Sequence, residues 1–326
     1  MGFKSKKMNY IKETEIIYQI AHLYYNEGMT QEKIAQQLGF NRLKVHRYLE
    51  TAKDEGIVQI MVVNPLSHIE NSESLLIKQN FKLEKVILVP ALTNNEHIIR
   101  KNLARSASKY LSENLCDGDC IGIGWGKTIY ETLKCFQPKR KITATVVPLI
   151  GGIGQYAADF QVNEMARQFS EKINGKFVPL YAPAIVDSES IVKALFSDKN
   201  FEKVSKLWED LDIVVIGIGG PIAKNTYLPD TSLNDIDLKI LIDEGHVGDI
   251  LLNYIDKNGK ICNESITKRR IGISFEQLKK AKKIVAIAGS LRKKEAILAC
   301  LKSGYIDVLI TDQIVAKELI GEKLRK

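Results

Sequence analysis

The sequence predicts an α/β protein in two parts: an N-terminal helical helix-turn-helix domain, residues 1–63, and a C-terminal domain, residues 64–326, built on a doubly wound, mainly parallel sheet. Three observations predict it. The first sixty residues carry three apolar patterns of helical period, broken at Gly28 and Gly39. The remainder alternates β-rich apolar runs with amphipathic stretches, the pattern of strands buried on both faces and the helices that cover them. At 326 residues the chain also exceeds the ~250 to 300 at which single cores usually stop growing.

From Thr14, the residues Ile16, Ile17, Ile20, Ala21, Leu23 and Tyr24 recur at helical spacing up to Asn26-Glu27-Gly28, where glycine suits a left-handed helix end. Thr30 is placed to cap a short second helix, Gln31–Leu38, with Ile34, Ala35 and Leu38 on one face and Gly39 ending it. Asn41 caps a third, Arg42–Asp54, whose inward stripe is Val45, Tyr48, Leu49 and Ala52. Residues 57–63 read as a wing or connecting strand, and 64–68 as the linker.

Two short helices joined by a glycine-containing turn form a helix-turn-helix, whose second helix enters the DNA major groove. The candidate contacts are Thr30 and Gln31, then Asn41, Arg42, Leu43, Lys44, His46 and Arg47. Between Gly39 and Leu49 stand three positive charges and no acid, which suits phosphates and base edges. Arginine can fork onto guanine, lysine meets phosphate as a point charge, and Asn41 either caps or touches a phosphate. A packing or oligomerisation bundle with a solvated basic face is the alternative. Net charge does not decide between them, because residues 1–63 hold nine Lys/Arg against seven Asp/Glu.

A composition of 45% hydrophobic and 26% charged residues excludes disordered and collagen-like classes. No apolar run approaches the ~18 to 20 residues a membrane span requires, and the basic N-terminus leads into a polar segment rather than a secretory core. A cytoplasmic protein without a membrane partner is expected. The five cysteines are odd in number and scattered, and the close pair Cys116 and Cys120 lacks a second ligand pair. Buried thiols are expected, with no metal and no cofactor.

In the second part, strands are expected at Lys85–Val89, 120–124, 144–149, 177–181, 212–217, 250–255, 284–288 and 307–311. Helices are expected after the polar stretch of Ser67, Asn71, Ser72 and Ser74 and at Glu96–Asn114, 127–136, 161–173, Glu189–Phe196, 275–282, 292–302 and 313–320. In such sheets ligands bind beyond the carboxyl ends of the strands, where loops enter helix N-termini. The run Gly122-Ile123-Gly124-Trp125-Gly126-Lys127-Thr128 fits an anion site: glycine admits close backbone approach, and Lys127 and Thr128 add a charge and a hydroxyl. It is not a nucleotide P-loop, since Ile121 stands where that motif needs glycine. The dinucleotide-like run at 152–157 lacks an acid at the end of its next strand. Tight turns alone explain part of this glycine content.

Residues 268–294 hold ten Lys/Arg against the single acid Glu276, more than the whole chain's net +8. Lys279, Lys280, Lys282 and Lys283 read as a solvated face at a helix end. Arg292, Lys293 and Lys294 follow a strand and the turn Gly289-Ser290, where a lysine can meet a phosphate anchored at the Gly122 to Thr128 loop.

Nine blocks occur in order: 34–58, 121–128, 148–154, Asn163-Glu164-Met165-Ala166, Ala182-Pro183-Ala184-Ile185-Val186, Gly217-Ile218-Gly219, 245–249, 288–297 and 306–312. Through them the whole chain resembles the SorC/DeoR-type sugar-responsive bacterial transcriptional regulators. The resemblance implies binding to operator DNA, a phosphorylated sugar or related metabolite as effector, assembly as a homodimer or homotetramer, and no catalysis. It implies a phosphate loop at Gly124, Trp125, Gly126, Lys127 and Thr128, a hydroxyl-binding carboxylate at Asp249 and a second phosphate contact at Lys293, with Gly151 and Gly152 in the same effector set. The sequence departs from the pattern at Gly124, often Ser or Thr, and at Ser290, the second Gly of an Ala-Gly-Gly turn. Ile150 provides no amine for a Schiff base.

The effector domain is also similar to sugar-phosphate isomerases and deaminases, so an enzyme of that type is the rival reading. The loop Gly217-Ile218-Gly219-Gly220-Pro221-Ile222-Ala223 has no acid or histidine nearby in sequence to move a proton, which leaves His246 and Asp249 as the possible pair.

Overall fold

The computed structural model describes residues 2–58, 72–154, 160–222 and 233–323, with side chains from Glu13 to Gly321. Contacts divide the chain into two units, Met1–Ile69 and Glu70–Lys326. Apart from Ile57 and Val58, the expected wing and linker lie outside the described residues.

The first unit is α1 (Gly2–Tyr25), α2 (Gln31–Leu38) and α3 (Arg42–Asp54). The Thr30 hydroxyl accepts the Lys33 amide at 3.3 Å, and Asn41 Oδ1 accepts the Lys44 amide at 2.7 Å, so both helices start on side-chain caps. Gly39 ends α2 at φ 69°, a conformation cheap only for glycine. Ile20, Ile34, Val45, Leu49 and Ala52 close the small core.

The second unit runs α4 (Ser72–Phe81), β1 (Lys85–Val89), α5 (Glu96–Asn114), β2 (Cys120–Ile123), α6 (Lys127–Cys135), β3 (Thr145–Pro148), α7 (Val162–Lys172) and β4 (Lys176–Phe177). It continues with α8 (Glu189–Phe196), α9 (Lys199–Glu209), β5 (Ile213–Gly217), α10 (Asp235–Asp243), β6 (His246–Ile250), β7 (Asn253–Asp256) and α11 (Glu264–Arg269). α12 (Phe275–Leu278), β8 (Ile284–Ile287), α13 (Lys294–Ser303), β9 (Val308–Asp312) and α14 (Gln313–Lys323) complete it. Seven strands form one parallel sheet in the order β1-β9-β8-β5-β2-β3-β4. Alternate residues feed opposite cores: Ile213 and Val215 of β5 pack with Phe136 and Phe169, whereas Val214 and Ile216 pack with Trp208 and Tyr254. The strand order reverses between β5 and β2, which opens a crevice at their carboxyl ends.

Three sequence expectations are corrected. A strand at 250–255 is instead an antiparallel hairpin, β6 with β7, turning at Leu251 (φ 53°) and Leu252 (φ 59°). Its β-rich composition hides a turn that two leucines enter against their own preference, with the Asp249 carboxylate accepting the Leu252 amide at 3.0 Å. The strand at 177–181 is reduced to a two-residue edge: Lys176 and Phe177 pair in register with Thr145 and Val146, and the ladder ends on the Val178 amide, which donates to the Val146 carbonyl at 3.0 Å. The helix at 292–302 starts later, at Lys294, after Ser290 at φ 82° and a 3-10 turn over Leu291–Lys293. Three helices not anticipated, α9, α10 and α11, begin at Asp198, Asn234 and Asn263, each accepting a first-turn amide.

The basic run at 268–294 is largely balanced from other parts of the chain. Lys280 pairs with Glu209, Lys282 with Asp212 at 2.6 Å and Lys283 with Glu84 at 2.8 Å. Arg269 pairs with Asp237, Arg292 with Glu96 and Lys294 with Glu318. The side chain of Arg270 is buried and donates to the carbonyls of Leu251 and Ile273, bracing the hairpin turn.

Candidate functional site

A cavity of about 210 Å³ opens at the carboxyl edge of the sheet. Four loops meet there: Trp125 to Ile129 after β2, Ile150 and Ile153 after β3, Gly217 to Gly220 after β5, and Gly289 to Lys293 after β8. The hairpin adds Asp249, Leu251 and Leu252, and the first turns of α5 add Glu96, Ile99, Arg100 and Leu103.

Gly126 enters α6 at φ 135°, and no side chain caps that helix, so the positive end of its dipole faces the cavity. Lys127 and Thr128 stand on its first turn. Trp125 donates its indole N–H to the Phe160 carbonyl at 2.9 Å and lies tilted at 56° against that ring, making an aromatic wall. Across from it, the Lys293 ammonium donates to the Ile218 carbonyl at 2.6 Å.

Four cations, Arg100, Lys127, Arg292 and Lys293, and two acids, Asp249 and Glu96, line the cavity. Burial pushes the Lys127 ammonium below its usual value, and the charges of Arg100 and Arg292 push it the same way. Burial also lowers Lys293, which Asp249 opposes and Arg292 and Arg100 reinforce. The Asp249 carboxyl is pushed up by burial, against the Leu252 amide and the Lys293 charge. Glu96 accepts the Ser290 hydroxyl and the Arg292 Nε, each at 3.0 Å.

Of the effector residues read from sequence, the fold brings Trp125, Gly126, Lys127, Thr128, Asp249 and Lys293 to this cavity. Gly124, Gly151 and Gly152 do not line it. The Gly124 amide pairs with the Val215 carbonyl at 2.8 Å, and a β-carbon there would sit 3.0 Å from Leu251. Gly151 and Gly152 pair with Ile271 and Ala182, and a β-carbon on Gly151 would strike the Pro183 carbonyl. Gly124 and Gly151 let the walls pack, whereas a β-carbon on Gly152 would come no nearer than 3.4 Å to a neighbour. Glu96 and Arg100 went unnoticed in the sequence, although any helix following a parallel strand starts at the ligand edge.

The fold also brings an acid and a histidine to the loop after β5, where the sequence shows none nearby. Asp249 forms a bridge with Gly219, and His246 Nε2 accepts the Ile222 amide at 2.9 Å. That bond puts the ring proton on Nδ1, which meets the Leu241 carbonyl at 2.9 Å. Both nitrogens of His246 are therefore engaged.

In the helical unit, Arg42, His46 and Arg47 are exposed on α3, and Leu43 is 80% exposed. Lys44 is half-buried, its ammonium 4.4 Å from the centre of the Phe40 ring and 5.5 Å from that of Tyr48. Arg47 borders a depression with Glu13, Thr14, Thr51 and Glu55, on the side of α3 that faces α1. Thr30 and Asn41 spend an acceptor on capping, and Gln31 is half-buried beside Thr30. Among the described residues no helix is long and apolar enough to cross a membrane.

Residues 67–321 match the family model described as "Putative sugar-binding domain". The deoxyribonucleoside regulator of Bacillus subtilis (strain 168) is 28% identical over 313 residues, 95% of this chain and 99% of the relative. The uncharacterized transcriptional regulator YjhU of Escherichia coli (strain K12) is 30% identical over 315 residues, 93% of each. The crystal structure of the full-length sorbitol operon regulator SorC from Klebsiella pneumoniae matches with a TM-score of 0.71 at 25% identity, over 94% of this chain and 98% of that one. A match running from the helical unit to the last helix, with the family model covering the sheet and its cavity, identifies the chain as a member of the sugar-binding-domain family of SorC/DeoR-type transcriptional regulators.

Proposed function

We propose that the chain binds operator DNA through α3 and that a phosphorylated sugar in the cavity controls that binding. The observation that carries the reading is the meeting of the uncapped N-terminus of α6, Lys127 and Lys293 with the buried carboxylate of Asp249 in one cavity. Cations and helix amides suit a phosphate, and a carboxylate acceptor suits sugar hydroxyls. The relatives' names point to a deoxyribonucleoside and to sorbitol, small polyhydroxylated molecules of this kind. The reading includes a homodimer or homotetramer working in the cytoplasm, in which the effector shifts the spacing of paired recognition helices by binding one arrangement better than the other.

A regulator without catalysis is favoured over a sugar-phosphate isomerase or deaminase by the state of His246, whose two nitrogens hold backbone groups and which does not line the cavity. Operator binding measured with and without a panel of sugar phosphates tests the reading. Thr128→Ala and Lys293→Ala should keep operator affinity and lose the response. Appreciable turnover of a pentose or hexose phosphate by the purified protein would overturn the non-catalytic assignment.

A further inference from the structure

Arg100 projects from the second turn of α5 into the cavity and belongs to none of the motifs that mark the site. Its Nε is buried and has no hydrogen-bond partner. A buried N–H left unpaired costs about 1–3 kcal/mol, so such a group usually has a ligand that satisfies it. Arg100, Lys127 and Lys293 line the same cavity, and the Arg100 charge depresses both lysines. They come from three different helical segments: α5, the start of α6 and the 3-10 turn after β8. Arg292 differs, because Glu96, one turn before Arg100 on α5, already holds its guanidinium.

We propose that Arg100 is a direct ligand of the effector's anionic group, completing with Lys127 and Lys293 a three-cation pocket for one phosphate, while Glu96 holds Arg292 at the rim. This rests on the phosphorylated-sugar reading and adds to it. A guanidinium offers two parallel donors to a tetrahedral oxyanion where an ammonium offers a point charge, so the position selects for a phosphate over a neutral sugar. With no anion bound, three like charges repel across the cavity, and the ligand-free state carries that cost.

The test is calorimetric binding of inorganic phosphate, ribose 5-phosphate and ribose to the full chain, with the thermal midpoint of the ligand-free protein recorded beside it. Arg100→Gln should weaken both phosphate-bearing probes by about tenfold or more. It should leave ribose unchanged and hold or raise the ligand-free midpoint, because a repulsive charge is gone. Arg100→Lys should recover part of the phosphate affinity. A residue that merely supports the fold would lower the midpoint and weaken all probes together, and that result overturns the proposal. If Lys293→Ala loses phosphate while Arg100→Gln keeps it, the phosphate site stands and the role of Arg100 falls. If the wild-type protein binds neither phosphate probe, the phosphorylated-effector reading itself fails, and Arg100 with it.

Discussion

The Asp249 carboxylate occupies the space that a side chain at Gly219 would need: a β-carbon on Gly219 would stand 1.6 Å from Oδ1. The Gly219 amide also donates to the Asp249 carbonyl at 2.9 Å, so the loop after β5 and the β6–β7 hairpin are clasped at this point. The Leu252 amide fixes the other carboxylate oxygen, which leaves Asp249 little freedom to yield. Gly219→Ala should therefore displace the carboxylate and cost about 1–3 kcal/mol by overpacking. Effector response should be lost while operator affinity stays within a few-fold. Thermal shift with and without sugar phosphate reads both effects, and an unchanged ligand shift would show that Asp249 does not need this placement.

The same carboxylate gives a pH dependence of defined sign. Burial raises the Asp249 carboxyl above its ordinary 3.8, so its proton is held more tightly in the folded chain than in the unfolded one. The folded state then binds more protons, and this group's contribution falls as pH climbs from 3.8 toward the raised value. Asp249→Asn keeps an acceptor for the Leu252 amide and removes the charge. The stability of wild type minus that of the variant should decline across this window, leaving the effector-free variant at least as stable at neutral pH. Its effector affinity should drop. Denaturant unfolding at several pH values measures the difference, and a pH-independent loss of stability in the variant would contradict the argument.

Most of the sheet was legible because its signal is local. Strands such as Lys85–Val89 and helices such as Glu96–Asn114 carry their own period and their own caps. The helix-turn-helix was legible for the same reason, through Thr30, Gly39 and Asn41. What failed to show in the sequence depends on distant partners. The β6–β7 turn places Leu251 and Leu252 at positive φ, which no local rule suggests. It is held by Asp249 and by Arg270, nearly twenty residues away in sequence. Arg100 carries no local mark that separates it from a surface cation on a helix; only the sheet, by setting α5 beside α6, brings it to the cavity. Glycines were over-read for the opposite reason: Gly124 and Gly151 have a local look of ligand loops, but their lack of a side chain serves Leu251 and Pro183.

The basic run provides a case where charge counting misleads. Lys282 and Lys283 each meet an acid from far along the chain, Asp212 and Glu84, yet these pairs stand at the surface. Exposed pairs are worth about 0–1 kcal/mol and are screened by salt. Lys282→Ala should change stability by less than ~1 kcal/mol. The salt dependence of operator affinity should also stay the same, because the slope counts only cations that neutralise phosphates. A shallower slope in this variant, from binding measured between about 50 and 200 mM salt, would bring the C-terminal unit into the DNA contact.

Asn41 separates helix stability from DNA affinity. Its Oδ1 already accepts the Lys44 amide at 2.7 Å, so the side chain is a cap before it is anything else. Asn41→Ala removes the cap and should cost about 1 kcal/mol, weakening operator binding only through the loss of folded α3. Asn41→Asp preserves the acceptor and suits the positive end of the helix dipole, so stability should hold or improve slightly. The same charge sits where Arg42 and Lys44 would meet the phosphate backbone, and operator affinity should fall more steeply than in the alanine variant. Arg42→Ala should lower affinity too, and should reduce the salt slope by roughly one if its contact is to a phosphate. Unfolding curves and salt-titrated operator binding on the three variants give two orderings, and the recognition-helix assignment requires them to differ. If Asn41→Asp bound DNA as well as wild type, α3 would not approach the phosphates with this end.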